Sequence, residues 1–315
     1  MSLGYFFKAG AALEPQGLEF YERYPSMREW CEQAAGWVDL DARELLAMES
    51  RRGDPLYFAL LRNMVVSLGV MDILAEAGVQ PKAMAGHCAG VMPAAAAAGG
   101  VDRKDLITLI GRIAEAPGTD DSGRTEGLAQ LAFAEGTSPA EIEWFYGDEW
   151  PDVYLAADSG LIADGSYRII TVSGYMDDLE KLAARMPRKE QVRLYDTYGA
   201  VHSPRYKPIR DHLEPFVRAT AFHDPVVPIY CGLQREPITK GEQLAGIFIR
   251  CLTEPVWVDN VRLGLKTEGV RLAIAPGPGS PAQMEFLQWP FDVLEVRTPD
   301  DVVKAIATLD EYAVG

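Results

Sequence analysis

Apolar and polar residues follow two different periods along this chain. Between Asp54 and Gly78 the apolar positions recur every three or four residues, which predicts a long amphipathic helix. Residues 103–116 repeat this spacing and predict a second helix. Short apolar runs beside glycine, at residues 4–10 and 82–86, predict buried strands. Strands that alternate with helices in this way are typical of an α/β fold.

The pattern changes after residues 117–127, whose Gly, Asp, Thr and Ser content predicts a loop. From there the predicted elements follow the order β-α-β-β-α-β, which is typical of a ferredoxin-like unit. We place this unit at residues 125–198, as an insertion. Residues 1–124 and 199–315 then form one larger α/β subdomain.

The formal net charge of −16 over 315 residues limits the classes of partner. An acidic surface repels a phosphate backbone, so we expect no nucleic-acid partner. No apolar run reaches the ~18–20 residues that span a bilayer, and the first residues lack the pattern of a secretory signal. We therefore expect a cytoplasmic protein with no membrane partner.

The four cysteines and four histidines lack the spacings of disulfide-rich or metal-binding proteins. There is no C-x-x-C pair and no H-E-x-x-H motif, so we expect no disulfide and no bound metal. Basic residues cluster at residues 186–193 and 203–210. Such a cluster is either a solvated face of the fold or a docking patch for an acidic partner.

Residues 86–90, GHCAG, place a cysteine between two glycines where a predicted strand meets a predicted helix. This is the arrangement of a nucleophile elbow, in which a sharp turn lifts the central side chain, here Cys88, toward a substrate. The N–H of Ala89 and the helix N-terminus favour negative charge at that point and lower the pKa of the thiol. The alternative is a cysteine that serves only packing.

A cysteine nucleophile needs a base that is distant in sequence. His202 fits this role because it lies in the turn-like segment GAVHSP, just after a predicted strand. His87 adjoins Cys88 and is expected to brace the elbow. His212 and His223 are expected at the surface or at helix ends.

Together these motifs resemble the malonyl-CoA:acyl-carrier-protein transacylase family, the acyltransferase fold of fatty-acid and polyketide synthesis. The family elbow, G-H-S-x-G, matches residues 86–90, and its G-A-x-H-S-P segment matches residues 199–204. Similar later segments, in the same order, lie at residues 227–232, 254–261 and 274–279. The resemblance implies an α/β-hydrolase-like large subdomain with an inserted ferredoxin-like small subdomain.

The resemblance also implies roles for single residues. Cys88 would form a covalent acyl-enzyme, with His202 as general base and then as general acid. A backbone carbonyl of the segment Pro255–Trp257 would orient the histidine. The oxyanion hole would combine the backbone N–H of Ala89 with that of Gly10 or Ala11. No cofactor would be bound permanently, and the substrate would be a phosphopantetheine thioester, either acyl-CoA or an acyl carrier protein.

Three departures from the family pattern concern the acyl group. The elbow serine is a cysteine, as in starter-unit acyltransferase domains. The arginine that holds a malonyl carboxylate is replaced by Ile110, and Arg112 lies about 200° further around the helix. Val91 replaces the glutamate after the elbow, so we assign Ile110, Val91 and His87 to a rebuilt, apolar acyl pocket. Because an unpaired buried carboxylate is costly, we expect an acyl group without one.

The sequence thus predicts an acyltransferase of polyketide-type biosynthesis that moves a non-carboxylated acyl group through Cys88 to the phosphopantetheine thiol of an acyl carrier protein. We expect a monomer, with the carrier or the CoA phosphates docked on Arg205, Lys207 and Arg210. An acyl-carrier-protein thioesterase would use the same two residues with water as the acceptor. Two further interpretations stay open: a dinucleotide site at residues 277–282, and an inactive scaffold that binds a carrier protein.

Overall fold

The computed structural model describes residues 2–8, 16–47, 55–119, 122–162, 165–188, 191–277 and 287–314. Within these ranges the strands are β1 (Leu3–Phe7), β2 (Ala83–Gly86), β3 (Glu126–Ala134), β4 (Tyr154–Ile162), β5 (Tyr167–Tyr175), β6 (Val192–Tyr195), β7 (Ile229–Cys231), β8 (Gln234–Ile238), β9 (Val256–Trp257), β10 (Leu272–Pro276) and β11 (Asp292–Val296). The helices are α1 (Leu18–Arg23), α2 (Pro25–Gly36), α3 (Ala42–Ala47), α4 (Pro55–Glu76), α5 (Val91–Ala97), α6 (Arg103–Ile113), α7 (Pro139–Glu143), α8 (Met176–Ala183), α9 (Lys207–Ala219), α10 (Gly241–Arg250), α11 (Val258–Thr267) and α12 (Pro299–Val314).

The larger sheet has the strand order β11-β10-β1-β2-β7-β8. All neighbours in it are parallel except β7 and β8. Strands β1, β2, β7 and β10 are buried along their whole length, because helices cover both faces of a parallel sheet. The carboxyl ends of parallel strands share one edge, so the segments that follow β1, β2 and β7 meet there.

Helix α4 is the long helix that the apolar spacing predicts, and it lies in the main core. Leu61, Val65 and Leu68 on this helix are fully buried. Contrary to the sequence expectation, the segment Tyr57–Glu76 is long and apolar enough to cross a membrane. Its most apolar stretch is 83% buried inside the protein, as in the core helix of a globular domain.

The smaller sheet has the order β6-β3-β5-β4-β9 and covers the region predicted to be ferredoxin-like. Its elements follow the predicted order, β3-α7-β4-β5-α8-β6. Buried residues alternate along β3, and Leu131 belongs to the same hydrophobic core as Leu179 and Leu182 of α8. The predicted fold class, a large α/β subdomain with a ferredoxin-like small one, is confirmed; the boundaries at residues 125 and 198 stay a prediction.

One element of the smaller sheet was not predicted. The two-residue strand β9 comes from the later part of the chain and pairs in parallel with β4, through Ala157 with Val256 and Asp158 with Trp257. The smaller sheet therefore takes its last strand from the segment that leads into α11, which contacts both β4 and the larger sheet.

Candidate active site

The turn after β2 holds Cys88 at the carboxyl end of the parallel strands of the larger sheet. Cys88 has a φ of +53°, a left-handed conformation that side chains other than glycine rarely adopt. A Cβ on Gly86 would lie 2.3 Å from the backbone of Gly90, and a Cβ on Gly90 would lie 2.2 Å from the carbonyl oxygen of Phe7. Both glycines of the motif are therefore required by backbone contacts, and the turn has the close packing of a nucleophile elbow.

His202 reaches the same point from the turn before α9. Its Nε2 lies 2.8 Å from Sγ of Cys88, and its backbone N–H donates to the carbonyl of Leu252 at 3.0 Å. His202 also has a left-handed backbone, with a φ of +62°. Such conformations cost about 1–3 kcal/mol each and persist where the surrounding structure enforces them, often at active sites.

The environment of the pair favours charge separation between the two side chains. Burial by itself raises the pKa of Cys88, but the nearby His202 charge, its hydrogen bond and the N–H of Ala89 outweigh burial and lower the pKa of the thiol. Burial likewise lowers the pKa of His202, but the Cys88 sulfur outweighs it and raises the pKa of the imidazole. Both shifts favour the thiolate of Cys88 and the imidazolium of His202 over the neutral pair.

The carbonyls that face His202 differ from the sequence prediction. Those of Cys251 and Glu254 lie close enough to raise the pKa of the imidazole, although its Nδ1 meets no hydrogen-bond geometry within the described residues. Trp257 instead lies in β9, and its N–H donates to the carbonyl of Gly232. The carbonyls that raise the pKa of the imidazole thus belong to Cys251 and Glu254, and the role of the Trp257 segment in orienting the histidine stays a prediction.

One of the predicted oxyanion donors can be placed. The N–H of Ala89 is directed at the sulfur of Cys88, where it favours the thiolate. An acyl oxygen bonded next to that sulfur would lie near the same donor. The second predicted donor, at Gly10 or Ala11, lies outside the described residues, as do residues 278–282 of the possible dinucleotide motif.

Cys88 and His202 line a cavity of about 480 Å³. Helices α4, α5 and α6 contribute its apolar wall, which is formed by Tyr57, Leu60, Met64, Met92, Ile110 and Ile113. The loop before β3, the first residue of β3 and the turn after β6 contribute a more polar wall, which includes Thr119, Glu126, Thr197 and Tyr198. The cavity therefore lies between the two sheets, with the sulfur accessible from it.

The predicted acyl-pocket residues separate into two groups. Ile110 lines the cavity, and Arg112 lies outside it, where it pairs with Glu115 at 2.8 Å. Val91 and His87 are buried but do not line the cavity, so their assignment to the acyl pocket is corrected. Both side chains are buried in the protein interior next to the elbow turn.

His87 is a packing residue beside the dyad. A Cβ on Gly232 would lie 3.4 Å from its Nδ1, which places the imidazole against the turn after β7. Burial, together with the charge of His202, lowers the pKa of His87 to about 3. A histidine that stays neutral in this position adds no second positive charge beside Cys88.

The three predicted docking residues have different surroundings. Arg205 is turned inward: its Nε donates to Glu126 at 2.6 Å, and its guanidinium lies 3.7 Å from the ring centre of Tyr175. Arg210 pairs with the adjacent Asp211. Lys207 is exposed in the first turn of α9, one residue after the cavity-lining Tyr206. We therefore no longer assign Arg205 to the docking surface, because its guanidinium forms an ion pair with Glu126 inside the protein.

Sequence reasoning missed several cavity residues. Glu126 is the first residue of a strand, and Cys251 is the residue after a helix; neither position carries a local motif. Met64 and Met92 match ordinary core positions of helices. Helical spacing from Ile110 identifies Ile113 as a neighbour on the same face, and this is the one local signal among them.

Comparison with known proteins places this site in a recognised fold. No family model matches the chain. The chain is 23% identical over 312 residues to a malonyl CoA-acyl carrier protein transacylase of Bacillus subtilis, covering 96% of this chain and 95% of that protein. It is 30% identical over 224 residues to polyketide synthase 1 of Metarhizium album, covering 65% of this chain and only 10% of that protein.

The solved structures agree on the fold. The malonyl CoA-acyl carrier protein transacylase of Clostridium perfringens superposes with a TM-score of 0.85 at 17% identity, covering 100% of this chain and 99% of that one. The fold is therefore that of the malonyl-CoA:acyl-carrier-protein transacylases. The sequence match to the Bacillus subtilis transacylase extends over nearly the full length of both chains, so the chain resembles these transacylases in sequence as well as in fold.

Proposed function

We propose that this chain is an acyltransferase that moves an acyl group without a free carboxylate from a CoA or carrier-protein thioester, through Cys88, to the phosphopantetheine thiol of an acyl carrier protein. The observation that carries the proposal is the 2.8 Å separation of the Cys88 sulfur and His202 Nε2 at the wall of a cavity. The transacylase of Bacillus subtilis, matched along nearly its whole length, supports acyl transfer to a carrier protein.

The chemistry follows from the charge state of the dyad. The Cys88 thiolate attacks the thioester carbonyl, and the N–H of Ala89 stabilises the oxyanion that forms. Collapse of this intermediate breaks the carbon–sulfur bond to the donor, whose sulfur takes the proton from His202. In the second half-reaction His202 removes the proton of the acceptor thiol, which attacks the Cys88 thioester and releases the cysteine thiolate.

The wall of the cavity supports a non-carboxylated acyl group. Ile110 lines the cavity, whereas Arg112 is engaged outside it with Glu115 and lies 4.9 Å from the ring centre of Phe216. The described lining residues also include a carboxylate, Glu126. A second carboxylate on the acyl group would be buried against apolar side chains, and among the described lining residues the wall from α4, α5 and α6 carries no lysine or arginine to pair with it.

Intact-protein mass spectrometry tests this proposal. The protein is mixed with straight-chain acyl-CoA, aromatic acyl-CoA and malonyl-CoA, and then with a phosphopantetheinylated acyl carrier protein. We expect a covalent adduct from a non-carboxylated donor that is absent in Cys88→Ala, and transfer of that mass to the carrier.

Three outcomes would contradict parts of the proposal. An adduct formed only from malonyl-CoA overturns the assignment of the acyl group. Release of the acyl group to water at the same rate with and without the carrier makes the protein a thioesterase. Adducts that persist in Cys88→Ala overturn the role of the cysteine.

A further inference from the structure

We propose that Glu126 recognises the phosphopantetheine arm of the substrates, by accepting a hydrogen bond from one of its amide or hydroxyl groups. The inference rests on the proposed function, because this arm is present only if the substrates are CoA or carrier thioesters. Glu126 lines the cavity, yet the acyl transfer between Cys88 and His202 makes no use of a carboxylate. A charged side chain in that wall therefore calls for another role.

The surroundings of Glu126 fix its position. Its side chain is 8% exposed, and its Oε1 accepts from Nε of Arg205 at 2.6 Å. Arg205 is itself 12% exposed, and Nη1 lies 3.9 Å from Asp152. The ring of Tyr175 lies between two guanidinium groups, with Arg205 at 3.7 Å and Arg124 at 3.6 Å from its centre. The carboxylate of Glu126 is thus held by Arg205, and Arg205 is in turn held by Tyr175 and Asp152.

One oxygen of this carboxylate is available to a ligand. Within the described part of the chain, the hydrogen bond of Glu126 is made by Oε1, and Oε2 makes none. A carboxylate oxygen accepts stronger hydrogen bonds than a neutral oxygen does. An N–H or O–H group that enters the cavity beside Glu126 would find a rigid, charged acceptor.

The position of Glu126 in the cavity indicates the arm rather than the acyl group. Glu126 begins β3. The other polar lining residues come from the loop before β3 and from the turn after its neighbour β6; they are Thr119, Thr197 and Tyr198. The wall from α4, α5 and α6 is apolar and suits an acyl chain. An apolar chain against Glu126 would remove water from the carboxylate without replacing its hydrogen bonds.

The pantetheine arm fits the polar wall because it carries two amides and a hydroxyl group along an otherwise aliphatic chain. It is common to CoA and to carrier proteins, so one acceptor serves both half-reactions. The same contact would help to hold the thioester carbonyl at Cys88, since the arm and the thioester are one molecule.

The test compares three donors that carry the same acyl group: its CoA thioester, its pantetheine thioester and its ethanethiol thioester, which has no amide. The rate of Cys88 acylation is followed by intact-protein mass spectrometry. For Glu126→Ala we expect kcat/KM to fall about tenfold to hundredfold with CoA and pantetheine donors, the range for a lost hydrogen bond to a charged group. We expect no change with the ethanethiol donor.

Two variants serve as controls. Glu126→Gln keeps an acceptor oxygen and the side-chain volume, so its loss should be smaller than that of Glu126→Ala. Glu135→Ala removes an exposed carboxylate beyond the other end of β3 and should leave all three donors unchanged. Thermal melting of each variant shows whether the Arg205 pair is needed for folding.

Several results overturn the inference. Equal losses with all three donors reduce Glu126 to a structural partner of Arg205. A loss confined to the CoA donor assigns Glu126 to the nucleotide part of CoA and not to the pantetheine arm. If none of the three donors acylates Cys88 in the wild-type protein, the proposed function itself is wrong. If the wild-type protein is acylated but Glu126→Ala shows no donor-dependent loss, only the role of Glu126 is wrong.

Discussion

The sulfur of Cys88 and the Nε2 of His202 lie 2.8 Å apart although 114 positions separate the two residues in sequence. Each of the two residues has a positive φ, so the backbone is strained on both sides of the contact. The elbow glycines and the Leu252 carbonyl hold these conformations in place.

Cys88 should be the reactive thiol of the protein. Its lowered pKa keeps it as thiolate to lower pH than a free cysteine, whereas burial raises the pKa of Cys31 to about 12 and also raises that of Cys231. Alkylation by iodoacetamide at neutral pH should therefore modify Cys88 first, and its rate should fall as the pH drops through the thiol pKa. In His202→Ala, burial remains and the imidazolium is lost, so the midpoint should move to higher pH. An unchanged midpoint would contradict the ion pair.

His202→Ala should slow acylation of Cys88 by about 10²–10⁴-fold, the range for a lost general acid–base group. The measurement is the single-turnover rate of adduct formation. His223→Ala, which removes an exposed imidazole, is the matched control and should retain the wild-type rate. Equal effects of the two substitutions would remove His202 from the mechanism.

Ile110→Arg should shift donor selectivity toward malonyl-CoA, because it places a guanidinium at the cavity wall where a carboxylate can pair with it. The readout is the ratio of kcat/KM for malonyl-CoA and for the preferred acyl-CoA, with thermal melting to monitor folding. Arg112→Ala should leave this ratio unchanged, since Arg112 pairs with Glu115 outside the cavity. A selectivity change in Arg112→Ala would place that arginine at the acyl group.

Gly90→Ala should abolish acylation and lower the melting temperature, because the new Cβ would meet the Phe7 carbonyl oxygen at 2.2 Å. Gly246→Ala is the opposite case, since a Cβ at this exposed position of α10 meets nothing within 4 Å. It should raise the free energy of unfolding by about 0.5–1 kcal/mol. Denaturant unfolding of both variants measures the two changes in the free energy of unfolding. Wild-type stability and acylation in Gly90→Ala would contradict the tight packing of the elbow.

Lys207→Glu should raise KM for the carrier protein without affecting the pantetheine thioester. Lys207 is exposed next to the cavity-lining Tyr206, where a reversed charge would repel an acidic carrier. Lys266→Glu, an exposed lysine at the end of α11, should leave KM for the carrier unchanged. Equal KM values for wild type and Lys207→Glu would remove this lysine from the docking surface.

The sequence allowed prediction of those parts of the site that depend on local pattern. The glycines around Cys88 specify a tight turn, and the spacing of Ile110 and Arg112 places them on different sides of α6, as the structure has them. The element order of the ferredoxin-like unit follows from alternation and turn residues. In each case neighbours within a few positions determine the geometry.

The remaining features depend on contacts between distant segments. The carbonyls of Cys251 and Glu254 face His202 because α10 ends beside it, and no motif marks a carbonyl. Glu126 reaches the cavity because β3 begins where the two subdomains meet. Val91 and His87 were misplaced because adjacency in sequence to Cys88 does not decide which side of the elbow a side chain takes.

The two-residue strand β9 has a mechanical consequence. Val256 and Trp257 are tied to β4, while Glu254, two positions earlier, presents its carbonyl to His202. The segment whose carbonyl faces the imidazole is therefore anchored on the smaller sheet, whereas Cys88 follows a strand of the larger sheet. The geometry of the dyad thus depends on both sheets, although both of its residues lie outside the smaller one.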